Sequence, residues 1–218
     1  MPAGLGKRAV RKSLAGWLRT LAVFCLSHYR AVMVELSYTP APFTVHDYRE
    51  LPEGGPRYQL VDGELYMAPS PNLFHQEISR NIGYVLLRYL EQNPIGKVFY
   101  APLDVYLTEA NVFQPDVLFV GTKKLHLLEA DGIHGAPDLV VEILSPSTSK
   151  LDLGAKKRVS ARCGVLEFWA IDPLERKVVV YDLRASDTEP KATWLEGDSF
   201  ECKLFPGLQI DVSRVFAR

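Results

Sequence analysis

The sequence predicts an α/β fold in one domain, of the α+β type with a mixed sheet. Residues 138–171 hold two apolar, β-branched runs on either side of a helical stretch, and such a unit predicts a parallel crossover. A long amphipathic pattern precedes this unit, and an Asp-Gly turn signal separates two alternating segments near residue 62, which predicts a hairpin. A chain of 218 residues is long enough to bury a sizeable core.

The first predicted elements are a short helix and a hairpin. Thr44 is a suitable N-cap for a helix that runs through Leu51. Asp62-Gly63 separates the segments 57–61 and 64–68, and Asp-Gly between alternating apolar residues favours a two-residue hairpin turn.

A long helix and four strands follow. From Asn72 to Gln92 the apolar side chains recur on one helical face, and Asn93-Pro94 ends that helix because proline lacks the backbone N–H. Strands are predicted at 96–100, 103–107, 116–120 and 138–145.

The last third begins with a second helix, Leu151–Cys163. Its N-cap lies among residues 147–149, and Gly164 is placed to end it. Strands at 165–171 and 177–183 are joined by a turn at Asp172-Pro173. Shorter strands are predicted at 191–195, 199–204 and 207–212.

Composition argues against a disulfide framework and against a zinc site. The residues are 47% hydrophobic and 23% charged, as in an ordinary soluble globular protein. Cys25, Cys163 and Cys202 are far apart and form no C-x-x-C pair, which argues against a disulfide framework or a zinc site. A reducing cytoplasm is the simplest setting for such a chain.

Positive charge is concentrated in residues 1–32, which carry six Lys or Arg and no acid. Since the whole chain has a net charge of −1, residues 33–218 carry −7. This counts against nonspecific coating of nucleic acid, which depends on neutralising phosphates, but it allows a local basic groove in an enzyme.

The basic, partly apolar start loosely resembles a signal peptide. Arg19 interrupts its apolar stretch, and the stretch is too short to span a membrane. We expect a peripheral basic extension at 1–32 and a domain at 33–218, with Met33 as a plausible start of the domain; an amphipathic targeting or surface helix is the alternative. No stable membrane association is expected.

Two carboxylates, those of Glu142 and Asp116, lie within or beside apolar segments that are predicted to be strands. Strand alternation places Asp138, Val140 and Glu142 on one face, and an ionised carboxylate there is costly to desolvate unless a partner or metal compensates it. Asp116 begins another apolar run. Carboxylates on neighbouring strands can share a hard divalent cation. The alternatives are a turn acid at Asp116 and an edge position or salt bridge at Glu142.

A lysine pair follows on the second predicted helix. Lys156 and Lys157 should pack beside the Glu142 strand, which would bring one ammonium to the same pocket. An ammonium there can stabilise charge that develops on a phosphate, whereas the alternative is that both lysines face solvent or pair with Glu142. Together with the acids, this arrangement predicts metal-assisted phosphodiester hydrolysis.

Three further residues are weaker candidates. Glu64 after the hairpin turn and His75 before the apolar helix could bind metal or position substrate, although each is more often structural. Asp138 begins its strand, which suits a cap or a supporting group. His126 and His134 lie in a predicted loop without metal-ligand spacing and receive no role.

The ordered motifs resemble the PD-(D/E)XK nuclease superfamily, and within it the Uma-type putative restriction endonuclease family (domain of unknown function 820). The resemblance covers about residues 42–212. It is carried by Tyr58–Leu65, His75, Gln114-Pro115-Asp116-Val117, Val141–Ser147, Asp152, Lys156, Gly164-Val165, Glu167-Phe168-Trp169 and Ile171-Asp172-Pro173.

The resemblance implies a restriction-endonuclease-like core with flanking helices and additional β-hairpins. It assigns the acidic positions of the second and third core strands to Asp116 and Glu142. The superfamily's usual lysine would stand at Leu144, so the family takes its lysine from the next helix, with Lys156 as the best match and Lys157 in reserve. A tyrosine common four residues after that lysine is replaced by Ser160, which leaves open what packs at that position.

These features lead to the expectation of an endonuclease that hydrolyses DNA with Mg²⁺, or with Mn²⁺. Asp116 and Glu142 would bind the ion with the Ile143 carbonyl as a third ligand, and Lys156 would orient water or stabilise phosphate charge. The second hypothesis is a catalytically silent nucleic-acid-binding or scaffold protein that keeps the fold, and the third is a hydrolase acting on another substrate. Paired cuts would favour a homodimer.

Overall fold

The computed structural model describes residues 41–52 and 54–218. The predicted extension at 1–32 and the domain start at residue 33 lie outside these residues. Within the described part of the chain, no helix is long and apolar enough to cross a membrane.

The strands and helices have these bounds. The strands are β1 (Tyr58–Val61), β2 (Glu64–Met67), β3 (Gly96–Tyr100), β4 (Val105–Thr108), β5 (Asn111–Phe113), β6 (Val117–Gly121), β7 (Leu128–Glu129), β8 (Gly132–Ile133), β9 (Leu139–Ile143), β10 (Glu167–Asp172), β11 (Lys177–Asp182), β12 (Ala192–Leu195), β13 (Ser199–Glu201) and β14 (Gln209–Asp211). The helices are α1 (Val45–Arg49), α2 (Leu73–Gln92), α3 (Ser149–Leu151), α4 (Lys157–Cys163) and α5 (Val212–Val215), with a 3₁₀ turn at Thr122–Leu127 and a π-helical turn at Asp152–Lys156.

The main sheet has six strands in the order β12-β11-β10-β9-β6-β3. Its β9 and β10 are parallel and the other neighbours are antiparallel. The segment from α3 to α4 connects β9 to β10, so the predicted parallel crossover is present. A parallel pair needs a connection of this length, usually a helix.

A second six-stranded sheet, in the order β2-β1-β5-β4-β8-β7, is built largely from hairpins. The predicted turn at Asp62-Gly63 joins β1 to β2, and both residues have positive φ (48° and 77°). This is the backbone that a two-residue hairpin turn requires, and Asp and Gly tolerate it well. The sequence suggested one mixed sheet, and the structure divides its strands between two sheets and a separate β13–β14 pair.

The main core lies between α2 and the main sheet. Ile78, Ile82 and Leu86 of α2 are fully buried against side chains of β6, β9 and β10, as the helical spacing of these residues predicts. Asn72 caps α2 by accepting a hydrogen bond from the His75 backbone N–H at 2.9 Å. The cap therefore fixes the first turn of α2, which carries His75.

Three short strands, the end of the last strand and one helix differ from the sequence expectation. β5, β7 and β8 contain two or three residues each, too few for an alternating pattern to be recognised. The predicted last strand ends at Asp211, whose side chain caps α5 by accepting from the Ser213 backbone N–H. The predicted helix 151–163 begins two residues earlier and contains the π-helical turn.

Candidate active site

Asp116 and Glu142 come together through the pairing of β6 with β9. Val117 lies opposite Val141 in this antiparallel pair, so the same register sets Asp116 opposite Glu142. Side chains directly opposite each other in an antiparallel pair lie on the same face. Asp116 Oδ2 also accepts a hydrogen bond of 2.7 Å from the Ile143 backbone N–H, which fixes its carboxylate at the edge of β9.

Glu142 is almost completely removed from water, with 4% of its surface exposed. Burial raises the pKa of Glu142 well above its usual range; the charge of Lys156 opposes this shift, and the charges of Asp152 and Asp116 add to it. Among the described residues, Lys156 contacts the Glu142 carboxylate at Oε1. The sequence therefore places a carboxylate where its charge needs a counterion.

Lys156 is the nearest cation to Glu142 among the described residues. Its Nζ lies 2.6 Å from Glu142 Oε1 and 3.0 Å from Asp152 Oδ1, and only 1% of the residue is exposed. Burial lowers the pKa of Lys156, but the charges of Glu142 and Asp152 outweigh it and raise the pKa above its usual value. Lys156 therefore keeps its proton at neutral pH.

Lys156 and Lys157 point in different directions, because neighbouring residues on a helix lie about 100° apart around its axis, and only Lys156 reaches the acids. The Lys157 backbone N–H donates to the carbonyl of Asp152, five residues earlier, and π turns of this kind occur frequently at functional sites. Lys157 instead places its ammonium over the Tyr181 ring, 3.7 Å from the centroid. Burial there lowers the pKa of Lys157.

His75 lies in the first turn of α2 and contacts Asp116. Its Nε2 is 3.2 Å from Asp116 Oδ2, and its buried Nδ1 has no hydrogen-bond partner within the described part of the chain. Burial lowers the pKa of His75, but hydrogen bonding to Asp116 and the charges of Asp116 and Asp152 give a net rise. His75 is thus the second group, after Ile143, that holds the Asp116 carboxylate.

Two weaker candidates lie away from these acids. Asp138, at the opposite end of β9, accepts from the Gly121 backbone N–H at 2.6 Å and pairs with Lys124 at 3.0 Å. Glu64 is exposed and accepts from the Tyr66 hydroxyl. Neither residue lines the cleft that contains Asp116 and Glu142.

That cleft has a volume of about 910 Å³. Asp116, Glu142, Ile143, Asp152 and Lys156 line it together with His75. Its remaining lining comes from β1 and the residue before it, the loop before α2, the outer side of α2, the end of β3 with the loop after it, Gln114 and the loop after β9. The volume lies in the range of ligand-binding clefts.

The charges in the cleft leave room for a divalent cation. Asp116, Glu142 and Asp152 supply three carboxylates, whereas Lys156 supplies one ammonium that contacts two of them. Carboxylate and carbonyl oxygens are the ligands that Mg²⁺ and Mn²⁺ prefer. This excess of carboxylates over ammonium groups fits such an ion.

A different group of side chains has the tightest spacing for a metal among the described residues. Glu129, Asp131 and His134 have ligand atoms within 4.8 Å of one another. They lie around the β7–β8 hairpin, where His134 contacts Asp131 at 2.8 Å and Arg49 pairs with the same carboxylate. These contacts already partner the Asp131 carboxylate, and the group does not line the cleft.

Two supporting features were not assigned a role from the sequence. Asp152 pairs with Lys156 from one helical turn earlier, and an acid four residues before a lysine is the available signal. Gln59 lies in β1, lines the cleft and accepts from the Gln114 backbone N–H at 3.0 Å. Gln114 comes two residues before Asp116, so this bond fixes the backbone that leads to Asp116. In the sequence, Gln59 is only a polar residue beside Leu60 and Val61, which gives little indication of this role.

Comparison with known proteins agrees with the resemblance of the motifs. The fold is similar to the crystal structure of a putative nuclease belonging to DUF820 from Anabaena variabilis ATCC 29413, with a TM-score of 0.68, 22% sequence identity and coverage of 80% of this chain and 98% of that chain. No curated protein matches. Residues 45–213 match the Uma2 family, described as "Putative restriction endonuclease". The match spans most of the chain, and the chain therefore belongs to the Uma2 family of putative restriction endonucleases.

Proposed function

We propose that this protein is a metal-dependent endonuclease that hydrolyses DNA phosphodiester bonds. Membership of a family described as "Putative restriction endonuclease" supports nuclease activity. The observation that carries the finer proposal is the pairing of β6 with β9, which directs Asp116 and Glu142 into one cleft with Lys156 beside them. Three carboxylates lie close to one ammonium and to His75, and a divalent cation would compensate the negative charge that Lys156 does not.

Mg²⁺, or Mn²⁺ in its place, is the cofactor that suits these residues. Asp116, Glu142 and the Ile143 carbonyl would hold it. When bound, such an ion polarises a phosphoryl oxygen and lowers the pKa of an attacking water. The excess of carboxylates over ammonium groups in the cleft supports this assignment.

Lys156 acts through its charge in this proposal. Its raised pKa keeps it from accepting a proton at neutral pH, so it does not serve as a general base. It holds the Glu142 carboxylate in place and provides positive charge for a phosphate that becomes more negative during the reaction. Asp152 positions the ammonium through the 3.0 Å contact.

Two substitutions test the metal ligands. Glu142→Gln and Asp116→Asn should each lose Mg²⁺ binding in calorimetric titration and cleavage of labelled DNA, because each removes one carboxylate charge. Glu64→Gln is the matched control, since Glu64 is exposed and lies outside the cleft. If both variants cleave DNA as fast as the parent protein, the assignment of the ligands is wrong.

The same measurements separate the alternatives. A parent protein that binds neither Mg²⁺ nor Mn²⁺ and cleaves no DNA would favour a silent scaffold of the same fold. Metal binding with cleavage of a different ester in a substrate panel would favour a hydrolase of another kind. The silent scaffold is considered because the superfamily's usual lysine would stand at position 144, where this chain has Leu144.

Assembly and setting complete the proposal. A homodimer would bring two clefts to one duplex and allow cuts in both strands, and sedimentation equilibrium with and without DNA would test it. A reducing cytoplasm is the proposed setting, because the three cysteines are far apart in sequence and form no C-x-x-C pair. A protein that sediments as a monomer at all concentrations, both with and without DNA, would refute the dimer.

A further inference from the structure

One wall of the cleft is the outward side of α2, and this wall extends well beyond the acids. His75, Ser79, Arg80, Tyr84 and Leu87 follow one another along it. His75 touches Asp116 at the inner end. Tyr84 lies nine residues further, about 14 Å along the helix at about 1.5 Å per residue. The cleft therefore contains a surface away from the acids that the proposed hydrolysis does not use.

This outer part of the wall exposes apolar side chains. Tyr84 is 59% exposed and Leu87 is 42% exposed, although both lie in a concave surface. Exposed apolar groups that line a groove are typical of binding sites. An aromatic ring with two rotatable bonds also offers a large contact area at little cost in conformational entropy.

Charge along the cleft changes sign from the inside to the outside. The buried inner end holds Glu142 and Asp152 with Lys156 between them. The outer end holds the exposed Arg80, whose guanidinium also donates to Asn81 Oδ1, and the exposed Arg57 lines the same cleft before β1. The acids carried by α2, Glu77 and Glu91, are not among the lining residues. The outer end is therefore complementary to phosphates.

Arg88 adds to this side of the helix. Its guanidinium lies 5.8 Å from the centroid of the Tyr84 ring, and Arg80 and Arg88 lie one turn before and one turn after Tyr84. Arginines around an aromatic ring are the combination that proteins use to bind single strands, because arginines contact phosphates while the ring stacks on a base.

We infer that the outer part of the cleft binds a single-stranded segment of the nucleic-acid substrate, with one unpaired base stacked on Tyr84, an adjacent phosphate at Arg80 and a further phosphate at Arg57 elsewhere in the cleft. This inference rests on the proposed function for the kind of polymer that is bound. An exposed ring can stack on a base only where that base is released from its neighbours, as in a single strand or an opened duplex.

The test is binding of a fluorescein-labelled single-stranded oligonucleotide and of the matching duplex by the full chain, measured by anisotropy in EDTA so that no hydrolysis occurs. Tyr84→Ala should weaken single-strand binding about tenfold, within the range for loss of one stacked base. Tyr84→Phe should retain the affinity because it retains the ring. Leu174→Ala is the control, since Leu174 is 82% exposed and lies outside the cleft.

Salt dependence separates stacking from charge. Arg80→Ala should reduce the slope of log K against log salt by about 0.7, the value for one phosphate contact on a single strand, whereas Tyr84→Ala should leave the slope unchanged. Arg214→Ala, which removes an exposed arginine outside the cleft, should change neither the affinity nor the slope. Melting temperatures equal to the parent's would establish that the exposed positions leave the fold intact.

The inference is overturned if Tyr84→Ala binds the single strand as tightly as the parent, or if the parent prefers the duplex and Tyr84→Ala does not alter that preference. These outcomes are independent of catalysis. If Tyr84 contributes to strand binding but the parent cleaves nothing with Mg²⁺ or Mn²⁺, the hydrolytic proposal fails and the binding site stands.

Discussion

Lys156 and Lys157 are adjacent in sequence but have different surroundings. The ammonium of Lys156 lies between Glu142 and Asp152 in the cleft, whereas that of Lys157 lies over Tyr181. The π-helical turn ends at Lys156, and neighbouring residues on a helix point about 100° apart. The chemistry proposed for a lysine therefore belongs to one position and not to its neighbour.

This difference predicts the activity of two matched variants. Lys156→Met should lower the rate of DNA cleavage by about 10²-fold or more, because a positive charge beside the reacting phosphate is lost. Lys157→Met removes the same charge outside the cleft and should keep the parent rate. Single-turnover cleavage with saturating Mg²⁺ measures both, and equal rates for the two variants would contradict the assignment.

The same residue also affects stability. Without Lys156, the buried carboxylates of Glu142 and Asp152 lose their partner, and we expect Lys156→Met to cost about 3 kcal/mol in the free energy of unfolding. The double variant with Glu142→Gln should recover part of this loss because it removes one of the unpaired charges. Urea unfolding without metal measures both values; a double variant less stable than Lys156→Met would contradict the expected coupling.

At the scale of elements, the position of α2 determines where His75 and the cleft wall lie. Gly83 of α2 faces Tyr100 of β3, and a Cβ at Gly83 would overlap the tyrosine ring. The absence of a side chain lets the helix approach the sheet closely. Burial raises the pKa of the Tyr100 hydroxyl in this contact.

Gly83→Ala should therefore destabilise the protein, although alanine favours a helix by about 1 kcal/mol over glycine. Overpacking costs about 1–3 kcal/mol, so we expect a net loss of about 1 kcal/mol and slower cleavage as α2 moves. Gly154→Ala is the control, because a Cβ at this helical glycine would meet only an Arg158 nitrogen at 3.9 Å. Thermal and urea unfolding measure both; a Gly83→Ala variant more stable than the parent would refute the close contact.

At the scale of the whole molecule, the site joins parts of the chain that are far apart in sequence. α2, the β6 start, β9 and the π-helical turn each contribute to it. An ion that binds this arrangement must stabilise the native state, because the unfolded chain does not hold its ligands together.

We therefore expect Mg²⁺ to raise the melting temperature of the parent protein. At an ion concentration 100 times Kd, the stabilisation should be about 2.7 kcal/mol. Glu142→Gln should show a much smaller shift, while Glu64→Gln should behave as the parent. Calorimetric scans with Mg²⁺ and with EDTA measure the difference, and equal shifts in the parent and Glu142→Gln would exclude Glu142 as a ligand.

The sequence by itself determined the elements that have a local pattern. Period-two alternation, helical spacing and capping residues predicted the Asp62-Gly63 hairpin, α2, β3, β9 and the crossover, because these depend on neighbours in the chain. Motif order indicated the family. Asp116 and Glu142 were marked as candidates since acids in apolar runs need a counterion.

Only the tertiary structure decided which of these residues meet. The register of β6 against β9 set Asp116 beside Glu142, and the placement of the helical segment 149–163 brought Lys156 rather than Lys157 to Glu142, together with Asp152. The tertiary structure also placed Asp138 and Glu64 outside the cleft. Local patterns fix the direction of a side chain within its own element, whereas distances between elements depend on pairing and packing across the whole fold.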